Sequence, residues 1–267
     1  MSNRRAALIT GGGTGIGAAT AEALRSEGWD VVICGRRLDP LLKVAEATGA
    51  IPLVADATST EGVNQIVEAA IEQFGTLNGL VLNAGVVHPG PVGELGDDEW
   101  DVMVGTNLSG PFRLLRAAMP HLLASRGAVV GVASAAALRS AGDAPGYSAT
   151  KAGLTMLLQS TGVHYGPRGL RANVVCPGWT RTEMADLTMQ EFGPRIGMDF
   201  QQAYDVATSF VPARRPATAA EVAQAVCWLL SDQASYVNAA VLPVDGGMVA
   251  VDPGYLPLDP RVSLQEV

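Results

Sequence analysis

The sequence predicts a single-domain α/β fold, built on a doubly wound parallel sheet of about seven strands with helices on both faces. Three observations lead to this prediction. Strand-like and helix-like segments alternate along the chain and are joined by short links. The strand-like segments are continuous apolar runs, which is typical of strands covered on both faces. A glycine-rich turn joins the first strand to the first helix.

Hydrophobic periodicity gives the elements of the first half of the chain. The expected order is strand 6–10, helix 15–27, strand 29–34, helix 40–47, strand 51–55, helix 60–74 and strand 79–83. Gly28 and Gly75 are expected to end two of these helices, because glycine readily adopts the left-handed conformation that follows a last helical turn.

The second half continues the alternation. A long helix is expected over 97–125, although Gly110 and Pro111 lie inside it. The other expected elements are strand 128–133, helix 147–164, strand 171–176, helix 219–230 and strand 241–244. No linker or repeat divides the chain, so residues 1–250 are interpreted as one domain with a variable substrate lid at about 183–215. Residues 251–267 contain three prolines without clear periodicity and are interpreted as a C-terminal arm.

Charge and composition exclude several classes of protein. The net charge is −8 and no basic stripe occurs, which argues against nucleic-acid binding. No apolar run reaches the roughly 18 residues that could span a membrane. Cys34, Cys176 and Cys227 are scattered in apolar stretches, as reduced core residues are, and no metal-ligand spacing is present. These features predict a cytoplasmic protein without a bound metal.

The run TGGGTGIG at residues 10–17 is the first candidate for a binding site. Glycines let the backbone approach the pyrophosphate of a dinucleotide, and the N-terminus of the following helix offers free N–H groups. The alternative interpretation is a tight turn that needs glycine only for its positive φ angles. The position at the first strand–helix junction favours the dinucleotide.

The residues at the end of the second strand indicate whether the protein prefers NAD or NADP. An acidic residue about 20 residues after the turn would bind the ribose 2′-hydroxyl of NAD. This strand ends in Gly35, Arg36 and Arg37 with no acid, and arginine suits a 2′-phosphate. NADP(H) is therefore favoured, with NAD(H) as the alternative, and the arginines could also be solvated surface residues.

A second candidate site lies in the middle of the chain. Tyr147 and Lys151 are four residues apart at the start of a predicted helix, so they share one face. A nearby ammonium stabilises a phenolate, and such a tyrosine exchanges a proton with a carbonyl or alcohol oxygen. Ser134 ends a buried strand and could hold the same oxygen. Alone, the Tyr–Lys spacing is equally explained by a surface tyrosine beside an extended lysine.

Together these motifs make the chain similar to the short-chain dehydrogenase/reductase family, whose members have a Rossmann-type fold. The resemblance runs from about residue 6 to 247 and covers seven motifs in order at family spacing. They lie at 10–17, Asn83-Ala84-Gly85, Asn107, Ser134, Tyr147 with Lys151, Pro177-Gly178, and Asp245-Gly246-Gly247.

The resemblance implies a role for each matched residue. Tyr147 would be the general acid/base, Lys151 would bind the nicotinamide ribose and lower the pKa of the tyrosine, Ser134 would orient the carbonyl, and Asn107 would hold a water in the proton relay. Asp56 would contact the adenine ring. The implied cofactor site consists of Gly11, Thr14, Gly15, Ile16, Gly17, Arg36, Asp56, Ala57, Asn83, Ala84, Gly85, Tyr147, Lys151, Pro177, Gly178, Thr180 and Thr182.

Three departures from the family pattern stand out. Leu82 replaces the first asparagine of the common Asn-Asn-Ala-Gly. Thr14 stands where NADP-preferring members often carry a basic residue, which weakens the NADP prediction. Asn238 and Ala239 stand where the family commonly has Thr-Gly, in a region that often forms subunit contacts. The resemblance implies a homo-oligomer, either a tetramer or a dimer.

The lid indicates the substrate class. Its apolar residues predict an apolar or cyclic ketone or secondary alcohol, although core packing explains any single one of them better. These residues are Met184, Leu187, Met189, Phe192, Ile196, Met198 and Phe200, with Val86, Val87, Leu138 and Trp179 facing the same pocket. The alternatives are an epimerase or dehydratase on the same fold, which usually has a longer chain, and a non-enzymatic NAD(P)-binding protein.

Overall fold

A seven-stranded parallel sheet forms the centre of the protein, of which the computed structural model describes residues 5–258. The sheet strands are β1 Ala6–Thr10, β2 Asp30–Gly35, β3 Ile51–Val54, β4 Gly79–Leu82, β5 Ala128–Val132, β6 Arg171–Pro177 and β9 Val241–Val244. Their order across the sheet is β3-β2-β1-β4-β5-β6-β9. The order reverses direction between β1 and β4, and in such sheets ligands bind outside the carboxyl ends of the strands at this point.

Helices connect successive strands and cover both faces of the sheet. They are α1 Gly15–Ser26, α2 Leu38–Thr48, α3 Thr60–Phe74, α4 Asp97–Val104, α5 Gly110–Ser125, α6 Pro145–Tyr165, α7 Glu183–Arg195, α8 Phe200–Ala207 and α9 Ala219–Leu230. Gly28 and Gly75 have φ angles of 83° and 72° after α1 and α3, as expected of glycines that follow a helix.

Two apolar cores account for the stability of this layered arrangement. On one face, strand residues such as Leu8 and Leu80 pack against Ile66 of α3 and Leu114 of α5, all fully buried. On the other face, Ile9, the next residue of β1, belongs to the core that includes the side chains of α1 and α9. Neighbouring residues of one strand are thus buried on opposite faces, which explains the continuous apolar runs.

The predicted elements are present, and two details differ. The helix expected over 97–125 is interrupted by a π-helical turn at Gly105–Ser109, between α4 and α5. The lid contains α7 and α8, framed by a small parallel pair of two-residue strands, β7 Thr180–Arg181 and β8 Ala217–Thr218. Strands this short carry no periodicity that a sequence could reveal.

The end of the chain is only partly described. Pro253–Leu258 forms a short 3₁₀ segment, while residues 259–267 of the expected arm lie outside the described residues. Within the described part of the chain, no helix has the length and hydropathy needed to cross a membrane.

Candidate active site

The glycine-rich turn adopts a conformation that excludes larger residues. Gly11 and Gly15 have φ angles of 63° and 53°, in the left-handed region that favours glycine. A Cβ on Gly17 would lie 2.3 Å from the carbonyl oxygen of Gly11. Thr14 begins α1 without a side-chain cap, so its hydroxyl does not occupy the first N–H groups of the helix. The turn therefore offers its backbone and a helix N-terminus to a ligand.

A hydrogen-bond clamp joins this turn to the end of β4. The hydroxyl of Thr10 accepts from the backbone N–H groups of Asn83 and Ala84, both at 3.0 Å. The Asn83 side chain donates to the carbonyl oxygens of Thr10 and Gly11 at 2.9 and 3.1 Å. The resemblance implies that Asn83 lines the cofactor ribose, and in the structure its amide nitrogen also holds the glycine turn. Ala84 and Gly85 line the adjoining cleft.

The cleft has a volume of about 230 Å³ and extends from the glycine turn past the ends of β2 and β3. Asp56 accepts from the N–H and hydroxyl of Thr58 at 2.9 and 2.8 Å, and these bonds hold the pKa of its carboxyl below the usual value. Arg36 is exposed and makes no hydrogen bond within residues 5–258. The predicted cofactor residues in the cleft wall are Gly11, Thr14, Arg36, Asp56, Ala57, Ala84 and Gly85.

Ser134, Tyr147 and Lys151 lie together next to the cleft wall, where the Lys151 ammonium is 3.1 Å from the position of a Cβ on Gly85. Ser134 follows β5, whereas Tyr147 and Lys151 lie in the first turns of α6. The buried Lys151 ammonium donates to the carbonyl oxygen of Val132 at 2.9 Å and lies 5.7 Å from the centroid of the Tyr147 ring. The Ser134 side chain interacts with the Tyr147 phenol and accepts from the N–H of Ala136 at 3.1 Å.

The pKa shifts at this cluster have burial as their main cause. Burial lowers the pKa of the Lys151 ammonium to about 8. Burial also raises the pKa of the Tyr147 phenol, while the interaction with Ser134 acts in the opposite direction. The resemblance implies that Lys151 lowers the pKa of the tyrosine, whereas the net shift in this structure is upward because burial dominates. Tyr147 is protonated at neutral pH.

Asn107 is fully buried in the π-helical turn, and its side chain makes three hydrogen bonds. The Asn107 amide accepts from the N–H of Val86 and donates to its carbonyl oxygen, both at 2.9 Å, and donates to the hydroxyl of Thr150 at 3.1 Å. Thr150 in turn donates to the carbonyl oxygen of Tyr147 at 2.9 Å. Sequence reasoning missed Thr150, although its position one residue before Lys151 is a signal.

The remaining predicted cofactor residues lie at the end of β6 and just after it. Gly178, next to Pro177, accepts from the Thr180 hydroxyl at 3.1 Å. The Thr182 hydroxyl accepts from the N–H of Ala185 at 3.3 Å and so caps α7. A Cβ on Gly15 would lie 3.0 Å from the γ-methyl of Thr182. The start of the lid thus contacts the glycine turn, while the threonine hydroxyls bond to the local backbone.

The lid is organised around Arg181. The Arg181 guanidinium lies 3.8 Å from the ring centroid of Tyr204 and 5.3 Å from that of Phe200, and the Tyr204 hydroxyl donates to Asp186 at 2.8 Å. The seven apolar residues predicted in the lid divide into two groups. Met189 is buried in the lid core, with Phe192, Phe200 and Trp179 packed against it. Four others are more than a third exposed, namely Met184, Leu187, Ile196 and Met198.

The three cysteines are free and buried. Burial raises the pKa of the Cys34 and Cys227 thiols to about 12 and that of Cys176 to about 11. Cys176 was expected only as a core residue, yet it interacts with the Ser134 backbone and the Lys151 ammonium. Residues 5–258 contain no group of three or more histidine, cysteine or acidic residues that could hold a metal ion.

Comparisons with known proteins extend this description. The family described as enoyl-(acyl carrier protein) reductase matches residues 11–249. Protein MoaE of Klebsiella aerogenes is 40% identical over 250 residues, which cover 93% of this chain and 96% of that protein. Levodione reductase of Leifsonia aquatica is 34% identical over 92% of this chain and 94% of its own.

Solved structures are similar over nearly the whole chain. The crystal structure of levodione reductase has a TM-score of 0.88 and covers 93% of this chain and 98% of its own. That of an actinorhodin polyketide ketoreductase with NADPH has a TM-score of 0.90 at 30% identity, over 94% of this chain and 99% of its own. The strand order and these matches together show that the chain belongs to the short-chain dehydrogenase/reductase family of oxidoreductases.

Proposed function

We propose that the protein is an NADP(H)-favouring oxidoreductase that interconverts a ketone and a secondary alcohol. The observation that carries the proposal is the cluster of Ser134, Tyr147 and Lys151, which lies beside Gly85 in the wall of the cleft that begins at the glycine turn. The cleft residues fit a dinucleotide, because the turn excludes any Cβ and leaves a helix N-terminus uncapped by a side chain. When bound, the nicotinamide supplies or accepts the hydride.

In this proposal the side chains of the cluster handle the proton. The Tyr147 phenol, protonated at neutral pH, donates to the carbonyl oxygen during reduction. Ser134 hydrogen-bonds the same oxygen and orients it, since its side chain already lies against the phenol. Lys151 holds the nicotinamide ribose and places positive charge beside the phenolate that forms.

Asn107 is proposed to hold the water of a proton relay, as the family resemblance implies. Its side chain makes three hydrogen bonds, to Val86 and Thr150, and its amide oxygen keeps one lone pair that can accept from a water.

Cofactor preference and substrate class rest on two further groups of residues. Arg36, exposed in the cleft wall without a hydrogen bond among the described residues, is proposed to bind a 2′-phosphate. Pro177, Gly178, Thr180 and Thr182 are proposed to border the nicotinamide end. The exposed apolar lid residues Met184 and Leu187 favour an apolar or cyclic substrate. One relative is named for levodione and one structural neighbour for a polyketide.

The cellular compartment and the oligomeric state are inferred from the cysteines and from the exposed apolar residues. Buried free cysteines fit a reducing compartment, so we propose a cytoplasmic location. Exposed apolar residues on α5 and α6 support a homo-oligomer. The presence of the serine, tyrosine and lysine together favours an enzyme over a non-enzymatic NAD(P)-binding protein.

Titration with NADPH and with NADH, followed by fluorescence, tests the cofactor assignment. The parent protein is expected to bind NADPH more tightly, and Arg36→Gln is expected to lose that preference while it still binds NADH. Tighter binding of NADH by the parent would overturn the 2′-phosphate assignment. Binding of neither cofactor would favour the non-nucleotide interpretation of the glycine turn.

A further inference from the structure

An ion pair joins the adenosine end of the cleft to the lid. The Arg37 guanidinium donates from Nη1 and Nη2 to the two carboxylate oxygens of Glu183 at 3.0 and 2.8 Å. This bidentate geometry fixes the direction of the guanidinium. The pKa of the Glu183 carboxyl is lowered as a result, and that of Arg37 is raised. The two residues are 146 positions apart in the chain, so only the fold brings them together.

Both ends of the pair lie beside the proposed cofactor groove. Arg37 lines the cleft and immediately follows Arg36, the proposed ligand of the 2′-phosphate. Glu183 is the first residue of α7 and follows Thr182, whose methyl group lies against the position of a Cβ on Gly15. The pair therefore crosses from the adenosine side of the glycine turn to its lid side.

The two arginines are thus not equivalent. Arg37 has both terminal nitrogens engaged by a carboxylate, whereas Arg36 makes no hydrogen bond within the described residues. The Glu183 carboxylate occupies the Nη1–Nη2 edge of the guanidinium and offsets its charge, so a 2′-phosphate at the remaining Nε–Nη edge would be repelled by this carboxylate unless Glu183 moved away. NADH has no phosphate at this position and gains nothing from such a displacement.

We propose that Glu183 is a specificity-determining residue that acts through Arg37, by keeping this second arginine from the 2′-phosphate and so limiting the preference for NADPH over NADH. The proposal rests on the proposed function, since it presupposes that the cleft binds the dinucleotide. It assigns a selectivity role to a lid residue that does not itself contact the adenosine.

The test is the ratio of the NADH and NADPH dissociation constants in matched variants. Glu183→Gln frees Arg37, and the ratio is expected to rise about three- to five-fold, the scale of an exposed ion pair. Glu191→Gln removes the same charge from an exposed position on the same helix and is expected to leave the ratio unchanged. In the double variant Arg37→Gln/Glu183→Gln the gain is expected to disappear, because no second arginine is left.

The results of this experiment distinguish failure of the role proposed for Glu183 from failure of the proposed function. An unchanged ratio in Glu183→Gln, or an equal change for both cofactors, would overturn the role of Glu183 while the proposed function stands. Loss of affinity for both cofactors would mean that the pair serves to close the groove, which also contradicts the proposal. Binding of neither cofactor by the parent overturns the proposed function and the inference together. Thermal melting of each variant excludes loss of the fold as the cause.

Discussion

Lys151 has a proposed role in catalysis, and the burial of its ammonium costs stability. Its ammonium is 3% exposed and has Val132 as its hydrogen-bond acceptor, so water no longer solvates the charge. The pKa therefore drops from 10.5 to about 8. The proposed role of Lys151 is to place this charge beside the phenol of Tyr147, 5.7 Å from the ring centroid.

The Lys151 shift predicts a pH dependence of stability. Between pH 8 and 10.5 the unfolded chain keeps the lysine proton that the folded protein has lost, so the cost of burying Lys151 falls as the pH rises. The free energy of unfolding of the parent, relative to that of Lys151→Met, is expected to rise across this window in urea titrations. A difference that stays constant from pH 7 to about 10 would contradict the lowered pKa.

Ala239 occupies a position that suits glycine. Its φ angle is 54°, in the left-handed region, and the family resemblance had already indicated glycine there. Ala239→Gly is expected to stabilise the protein by up to about 1 kcal/mol, which corresponds to a rise of about 2–4 °C in melting temperature. Ala240→Gly is the control and is expected to lower the melting temperature, since Ala240 does not have a positive φ angle. A lower melting temperature for Ala239→Gly would show that the backbone of Ala239 is not strained.

At the scale of single residues, the sequence predicted which side chains form the site but not which groups they bond to. The spacing of Tyr147 and Lys151 on one helix face is local, and it was predicted. The partners of Asn83 lie 72 and 73 residues earlier in the chain, and those of Asn107 are the Val86 backbone and Thr150. A side chain that bonds to distant backbone gives no local signal. The direction of the tyrosine pKa depends on burial and was equally out of reach.

At the scale of elements, the junction between β1 and β4 positions the glycine turn. Thr10 and Asn83 exchange hydrogen bonds across the two strand ends, so the turn cannot shift without breaking them. The clamp explains why a short turn with several glycines holds one conformation.

Loss of the clamp is expected to weaken both stability and cofactor binding. Asn83→Ala leaves two partly buried carbonyl oxygens without this donor, at a cost of about 1–3 kcal/mol in the free energy of unfolding. NADPH affinity is expected to fall as well, because the turn loses its fixed form. Asn64→Ala, at an exposed position of α3, is the control in both denaturation and titration. Parental affinity in Asn83→Ala would show that the turn holds its form without the clamp.

The long helix shows what periodicity detects and what it misses. The sequence predicted one helix over 97–125, and the apolar spacing is indeed helical on both sides of the interruption. The π-helical turn at Gly105–Ser109 shifts the register by only a single residue, which a pattern over many turns does not resolve. The segment predicted as a lid was given no element bounds, because its packing depends on Arg181 and its aromatic neighbours.

At the scale of the whole molecule, the layered architecture follows from the apolar runs. Runs buried on both faces require helices on both faces, and the seven parallel strands meet this requirement. The carboxyl ends of the strands then bring the glycine turn, the end of β4 and Ser134 to one edge of the sheet. This convergence explains why motifs more than 100 residues apart could be assigned to one site.

The surface predicts self-association. Helices α5 and α6 expose apolar side chains, with Phe112 at 46%, Met156 at 64% and Val163 at 73% exposure. Light scattering is expected to give the mass of a dimer or tetramer, and Met156→Glu is expected to shift the protein toward smaller species because it places charge in an apolar patch. A monomer at all concentrations would contradict the proposed assembly.

The most direct test of the proposed chemistry is transfer of deuterium from NADPH labelled at the nicotinamide C4 to a panel of apolar and cyclic ketones. Mass spectrometry of the alcohols is expected to find the label at the former carbonyl carbon with the parent protein. Tyr147→Phe is expected to bind NADPH yet transfer at least about 100-fold more slowly, since it has no proton to donate. Transfer by Tyr147→Phe at the parental rate would contradict the role of the tyrosine.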